Sequence, residues 1–483
     1  MNYVGTARPI HDAKGKATGY SKYAGDISLP NMAYLCMLHS KIPHGYVKAV
    51  HAEKALALPG VYGVYHCLNT SERKYNRYRS NFDQSYLPNE ECAFNDYVRF
   101  VGDKIGVVAA CDQETAERAA RLVEVEYEEL PFSIGFDDTL AGKNCLEGET
   151  PVRDEYTLEV GKKQESTEGL IEVCSTMELP RLHHATMETH ACIADYDPYS
   201  DMLTVYCPNQ AVHGIRTVLA DYLEMPESHV RVVKATMGGS FGAKQEWFLE
   251  PVTALVAKKL CRPVKLVYSR GEAMTDTIVR GAMRMSARGY YTPDGEMKEI
   301  YCDVTLDAGA YIGNAGDYVR ALAGKPTRCY RIPYMHYHGQ VISSNSPVSG
   351  AFRSWSAAEE ALMMERQLDA AAEKLGMDRL AIRLKNVARS GEEDKKLHLS
   401  LEDIRIGDAI TLGSEKFGWD KLKAEDAAFN ASQQRYRRGV GIGIGGHGNT
   451  YFPRFNDYGE GSISLNADGS MQANFTLHDH GCG

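Results

Sequence analysis

A glycine-rich turn and an arginine–tryptophan segment are the two places where residue type and spacing could do chemistry. The turn is Met237-Gly238-Gly239-Ser240-Phe241-Gly242-Ala243-Lys244-Gln245. Glycines lack the Cβ that keeps a backbone away from a bound group, and Phe241 offers a ring to an aromatic substrate. The turn leads towards a helix N-terminus, where free amides and the helix dipole favour an anionic or polar ligand. It is not a Walker loop, because Lys244 follows Ala243 and no Ser or Thr follows Lys244. On pattern alone it reads equally as a plain strand-to-helix connection. The second segment, Gly350-Ala351-Phe352-Arg353-Ser354-Trp355, adds a guanidinium and an indole about a hundred residues later.

Other motifs point to less. Gly441-Ile442-Gly443-Ile444-Gly445-Gly446 fits G-x-G-x-x-G, but no helix is expected after it, so it reads as a strand packed against another backbone rather than a dinucleotide loop. His183-His184-Ala185-Thr186-Met187-Glu188-Thr189-His190 brings ligand types together without the H-E-x-x-H helix pattern. Packed or hydrogen-bonded histidines near a site are favoured there over zinc, and His478 and His480 are read the same way. The twelve cysteines never come closer in sequence than the fifteen positions between Cys192 and Cys207. Iron–sulfur and structural zinc sites use far tighter spacings, so these read as scattered, mostly buried thiols. No Gly-x-Ser-x-Gly elbow is present.

The elements around the turn follow from periodicity. Val230-Arg231-Val232-Val233-Lys234-Ala235-Thr236 is a strand running into the glycines, and a helix follows over roughly 246–260, with Pro251 tolerable only near its start. Val264 to Tyr268 returns as strand, and Ile215 to Leu223 is a short amphipathic helix. Upstream, Lys104 to Ala110 is a buried strand, Asp112 caps a helix over Gln113 to Leu122, and Val123 to Tyr127 alternates as a half-buried strand. The stretch 151–172 reads as a linker after a polar, Gly-rich run, and a strand-rich region opens near Val173. Gln367 to Lys374 and Arg379 to Ala388 read as helices. The end of the chain suggests a hairpin around Asn466-Ala467-Asp468-Gly469 and then an interruption at His478-Asp479-His480-Gly481-Cys482-Gly483.

Bulk properties bound the answer. With 483 residues, 43% hydrophobic and 24% charged, the chain has a large core and length for about three units. A net charge of −10 argues against a nucleic-acid-binding chain. No run approaches the roughly 20 apolar residues of a membrane helix, and Met1 to Gly5 carries no secretory signal, so a cytoplasmic protein is expected.

Joined together, the separated segments resemble the molybdenum-binding subunit of the xanthine dehydrogenase and aldehyde oxidase family. The likeness runs through Lys16 to Asp26, Ala57-Leu58-Pro59-Gly60-Val61, Val101 to Ile105, Pro208-Asn209-Gln210, the glycine turn, Asp307 to Tyr311, Arg320 and Ala351-Phe352-Arg353. It implies an α+β (mixed α/β) chain: a hammerhead-like α/β domain over 1–150, the linker, the first half of a molybdopterin-binding domain over 173–430, and the start of its second half over 431–483. It implies molybdopterin, as such or as its cytosine dinucleotide, with 2Fe-2S and FAD on partner subunits. The reaction implied is hydroxylation of an electron-poor carbon with oxygen from water, on a purine or related N-heterocycle. An aldehyde or carbon monoxide type enzyme and an inactive fragment are the alternatives.

Carried over by position, Gln210 would bond an oxo ligand of the metal. Gly239, Ser240, Phe241 and Gly242 would lie against the cofactor with Phe352 and Arg353, so that Gln210, Phe241 and Arg353 come near molybdenum without ligating it. Phe241, Gln245, Arg320 and Trp355 would contact substrate, Arg320 being the catalytic cation that stabilises charge developing on the ring. Departures from the pattern include Gln245 where purine-oxidising members tend to have Glu, Trp355 where they have Phe, and Cys482 where a Gln is usual. Family chains continue beyond this one, and the glutamate that acts as their general base lies in that part. The expectation is therefore a chain completed by a separate subunit or shortened by truncation.

Overall fold

A computed structural model describes residues 5–10, 12–70, 72–78, 87–146, 150–432, 435–448 and 459–476. The largest sheet takes strands from both sides of the expected domain boundary. Its first part comes from β1 (Ala33–His39), β3 (Val61–His66) and β5 (Lys104–Ala110), which enclose β2 (Gly45–His51) and β4 (Tyr97–Val98) in the chain. Its second part comes from β9 (Ala191–Asp197), β10 (Met202–Cys207), β11 (Val230–Lys234) and β12 (Val264–Val267). The spatial order is β11-β10-β9-β12-β1-β5-β3, with β1 and β12 parallel across the seam. One apolar core runs through both parts, from Leu35 and Val107 to Leu203, Trp247 and Val256. The boundary near residue 150 therefore does not divide the core.

Every residue of β5 is buried. The helix Gln113–Ala120 starts where the Asp112 carboxylate accepts the Thr115 amide at 2.7 Å, and it turns Ala116 and Ala119 inward. The strand–helix–strand reading holds locally, but β6 (Glu124–Glu129) joins β2 and β4 in a separate three-stranded sheet.

A second sheet is built from β7 (Val152–Gly161), β8 (Ile171–Leu179), β13 (Ala282–Tyr291), β14 (Met297–Asp307) and β15 (Tyr334–Ile342), in the order β7-β15-β14-β13-β8. The helix Ala357–Leu375 covers its β8–β13 edge, where Gln367 accepts from Ser175 Oγ at 2.6 Å and donates to Val173 O at 2.9 Å. A second core gathers Met283, Val304, Tyr337, Met363 and Leu368.

Five sequence expectations need correction. The linker at 151–172 contains β7, paired along its length with β15, and the first residue of β8. As an edge strand β7 alternates half-buried and exposed residues, so its polar face resembled a connector. The helix expected at Gln367 begins ten residues earlier, at Ala357, and the one expected near Glu246 begins at Glu250 with Pro251 in its first turn. Residues 441–446 form no strand, although Ile442 and Ile444 pack on the second core. Cys111, Cys174 and Cys261 are exposed rather than buried.

The C-terminal hairpin is present as Gly461–Leu465 and Met471–Phe475; His478, His480 and Cys482 lie outside the described residues. Among the described residues no helix is long and apolar enough to cross a membrane.

Candidate active site

Two parallel strands deliver the first half of the site. Cys207 at the end of β10 is in register with Lys234 at the end of β11, so the segments that follow leave the sheet side by side. The Ala235 amide donates to Cys207 O at 3.0 Å, and the Gln210 amide to Lys244 O at 2.8 Å. Ser240 Oγ then donates to Gln210 Oε1 at 2.8 Å and accepts from the amides of Gly242 and Lys244 at 3.3 and 3.2 Å. One hydroxyl thus closes the turn and holds the Gln210 amide.

The second half meets the first through the backbone. Arg353 N donates to Phe241 O at 2.7 Å. A Cβ on Gly242 would lie 2.5 Å from Ala351 O, and φ there is +102°. Only glycine allows this approach. Phe241 itself holds φ of 55°, and the residue is 48% exposed. Gln245 is half-buried, and its side-chain amide has no hydrogen-bond partner among the described residues.

Behind the turn lie charges and histidines that face inward. Glu188 Oε2 accepts from Gly238 N at 2.7 Å and from Lys244 Nζ at 2.6 Å, tying both ends of the turn to one carboxylate. The histidine segment braces the same walls: His190 Nε2 donates to Ala243 O at 2.9 Å and His184 Nε2 to Ala351 O at 2.8 Å. Burial pushes their pKa values down to about 3 and about 4 against the pull of those carbonyls, so both are neutral donors at pH 7. Among the described residues no three His, Cys, Asp or Glu side chains cluster as a metal site. Glu246, beneath Gly350, is pushed up to about 8 by burial, with Arg77 opposing.

Trp355 sits between the two cores, its ring edge-on to Tyr318 at 5.4 Å. Arg320 occupies the same helix as Tyr318, Ala315–Leu322, but its guanidinium forms a fork with Asp154 of β7 at 2.7 and 2.8 Å. The structure therefore brings Gln210, Gly239, Ser240, Phe241, Gly242 and Arg353 into one bonded unit, with Phe352 and Trp355 on its second wall and Gln245 in the turn. Arg320 is turned to another partner. Sequence reasoning missed Glu188, Glu246 and Asp154, because such a group is recognised by its partner and the partners lie 50 to 170 positions away. Two open grooves of about 800 and 720 Å³ lie elsewhere, and neither is lined by the turn.

Three family profiles match the chain: the a/b hammerhead domain of aldehyde oxidase and xanthine dehydrogenase over residues 18–131, and molybdopterin cofactor-binding domains over 149–387 and 412–483. The xanthine dehydrogenase molybdenum-binding subunit of Escherichia coli O157:H7 is 29% identical over 95% of this chain, which spans 61% of that protein. The nicotinate dehydrogenase large molybdopterin subunit of Eubacterium barkeri is 31% identical over 79% of this chain and 88% of its own length. In fold, quinoline 2-oxidoreductase from Pseudomonas putida 86 superposes with a TM-score of 0.89, covering 99% of this chain and 63% of that one at 22% identity.

Proposed function

Since this chain belongs to the molybdopterin-binding subunits of the xanthine dehydrogenase and aldehyde oxidase family, we propose that it forms the larger part of the molybdenum-binding subunit of a hydroxylase acting on a purine or related N-heterocycle. The observation that carries this reading is the bonded unit of Gln210, Ser240, Phe241 and Arg353, with a bare glycine backbone beside it.

The residues present suit the cofactor. Gly239 keeps its side-chain position uncrowded, Gln210 has an amide donor free to turn outward once its oxygen is held by Ser240, and Gly242 lets the Arg353 backbone close the cradle. Bound there, molybdopterin supplies the redox chemistry that inserts oxygen from water into a C–H bond and takes up two electrons.

The chain's own residues bind and orient. The ring of the exposed Phe241 and the Trp355 indole would flank a flat heterocycle. Gln245 can both donate to and accept from a ring nitrogen or carbonyl, where a carboxylate could only accept. The chain spans 61% of the Escherichia coli relative. The proposal also includes a further molybdopterin-binding segment carrying the general base, an iron–sulfur subunit and an FAD subunit. A cytoplasmic location goes with it.

The Arg320–Asp154 fork favours a second reading. If that pairing persists with substrate bound, charge on a ring is left without its cation, and an aldehyde type enzyme becomes the better description. Purification of the assembled complex, with molybdenum and pterin analysis and turnover of hypoxanthine, xanthine, nicotinate and benzaldehyde, decides between them. Turnover of benzaldehyde alone defeats the heterocycle reading, and a complex without molybdenum or pterin defeats both.

A further inference from the structure

Behind the wall that carries Phe352, Arg353 and Trp355 stand two cations whose hydrogen bonds go to that wall's carbonyls. Arg280, immediately before β13, donates from Nη2 to Arg353 O at 2.7 Å, pairs through Nη1 with Glu359, and lies 4.3 Å from the centroid of the Phe352 ring. Lys325, just after the helix Ala315–Leu322, donates from Nζ to Trp355 O at 2.7 Å. Glu359 stands in the first turn of the helix Ala357–Leu375 and is 1% exposed.

The wall would not hold this shape unaided. Ser354 and Ser356 adopt φ of 76° and 66°, a left-handed conformation that side chains disfavour and that persists only where the surroundings over-determine it. The surroundings here include the two carbonyl contacts, beside the backbone bonds from Trp355 N to Phe352 O at 2.9 Å and from Ala357 N to Ser354 O at 2.7 Å. Carbonyls 353 and 355 flank the first of these serines, and each is gripped by a different cation from a different element. The Phe352 ring is fixed as well, by Arg280 on one contact and by the His184 ring at 4.3 Å on another.

We propose that Arg280 and Lys325 are positioning residues that set the angle at which Trp355 and the Arg353 backbone face a flat ligand, with Glu359 as the partner of Arg280 on the following helix. The proposal rests on the reading that this wall flanks the substrate. It does not require either cation to touch substrate or cofactor. Arg280 needs its fork, because one guanidinium serves Glu359 and Arg353 O together; a lysine can serve only one of them well. Lys325 needs only a single donor of sufficient reach.

The test uses the assembled complex with Arg280→Lys, Lys325→Met and Lys325→Arg. Arg383→Lys serves as the control, because Arg383 is a buried arginine paired with two carboxylates, Glu365 and Asp369, away from this wall. Binding of hypoxanthine, nicotinate and quinoline is followed by tryptophan fluorescence quenching, beside molybdenum content and KM and kcat where turnover occurs. Arg280→Lys and Lys325→Met are expected to weaken binding of the preferred heterocycle at least tenfold, raising KM more than they lower kcat. Lys325→Arg restores binding to within about threefold, and Arg383→Lys leaves it unchanged. Binding within twofold of wild type in both Arg280→Lys and Lys325→Met overturns the proposal, as does a wild-type complex that binds none of the three. Heterocycle binding without molybdenum would instead defeat the functional reading while leaving the positioning roles in place.

Discussion

The amide of Arg353 donates to the carbonyl of Phe241 at 2.7 Å, joining two segments 112 positions apart in the chain. That bond exists because Gly242 lets the turn settle against Ala351. The approach leaves no room for a methyl group, since a Cβ on Gly242 would lie 2.5 Å from Ala351 O.

Gly242→Ala is therefore expected to push the two walls apart, at a cost of about 1–3 kcal/mol. Gly376→Ala makes the comparison: φ is +63° there, with open space around the position, so only the backbone strain of roughly 1 kcal/mol should appear. Thermal unfolding measures both, and molybdenum content should fall in the first variant alone.

The Lys244–Glu188 pair gives a second expectation. Its side chains are 2% and 13% exposed, so removing the lysine strands a carboxylate that also holds Gly238 N. Lys244→Met should lose about 3–5 kcal/mol in urea unfolding, while Lys244→Met with Glu188→Leu recovers much of the loss, because a matched apolar pair avoids desolvating a lone charge.

How much of this was legible in the sequence depended on whether a feature is local. The strand into the glycine turn, the Asp112 cap and the C-terminal hairpin follow from periodicity and turn chemistry within a dozen residues, and they are present. The seven-stranded sheet was not legible, because its seam pairs β1 with β12 across more than 200 positions. For the same reason β7 looked like a connector: its identity as strand lies in pairing with β15, not in its own pattern. In the site, the ring of Phe241 was suggested by its residue type and turn, and Gln245 and Trp355 by the family resemblance, whereas the buried groups that brace them carry no local signal. Arg320 shows the converse, a position to which the family resemblance lent a role while its fork goes to Asp154.

Glu246 sets the alkaline side of stability. Its pKa rises from 4.5 to about 8 because burial disfavours the carboxylate, and its Oε2 has no partner among the described residues. The folded state then holds a proton that the unfolded chain releases above 4.5, so this contribution is complete below that pH and lost as pH rises through 8. His190 and His184 act on the acid side. Their folded values lie below 6.5, so their contribution is present above 6.5 and lost as pH falls towards about 4 and about 3. Melting temperatures measured from pH 5 to 9 should decline between pH 6.5 and 8 in wild type and level off above 8. In Glu246→Gln that decline should be shallower, with the acid limb unchanged.

The fork between Arg320 and Asp154 yields the most discriminating measurement. Both side chains are partly exposed, 39% and 27%, so the pair contributes at most about 1 kcal/mol and Arg320→Met should fold normally. If Arg320 swings from Asp154 to a heterocycle as charge develops on the ring, Arg320→Met should lower kcat for hypoxanthine or nicotinate by roughly 10²–10³-fold, the usual loss when one electrostatic donor to a transition state is removed. Turnover of benzaldehyde, which lacks such a ring charge, should change less than threefold. Asp154→Asn, which loosens the competing fork, should leave heterocycle kcat equal or higher. Steady-state kinetics on both substrates separate the cases, because an arginine that serves only β7 would lower neither rate, and the aldehyde reading would then take precedence.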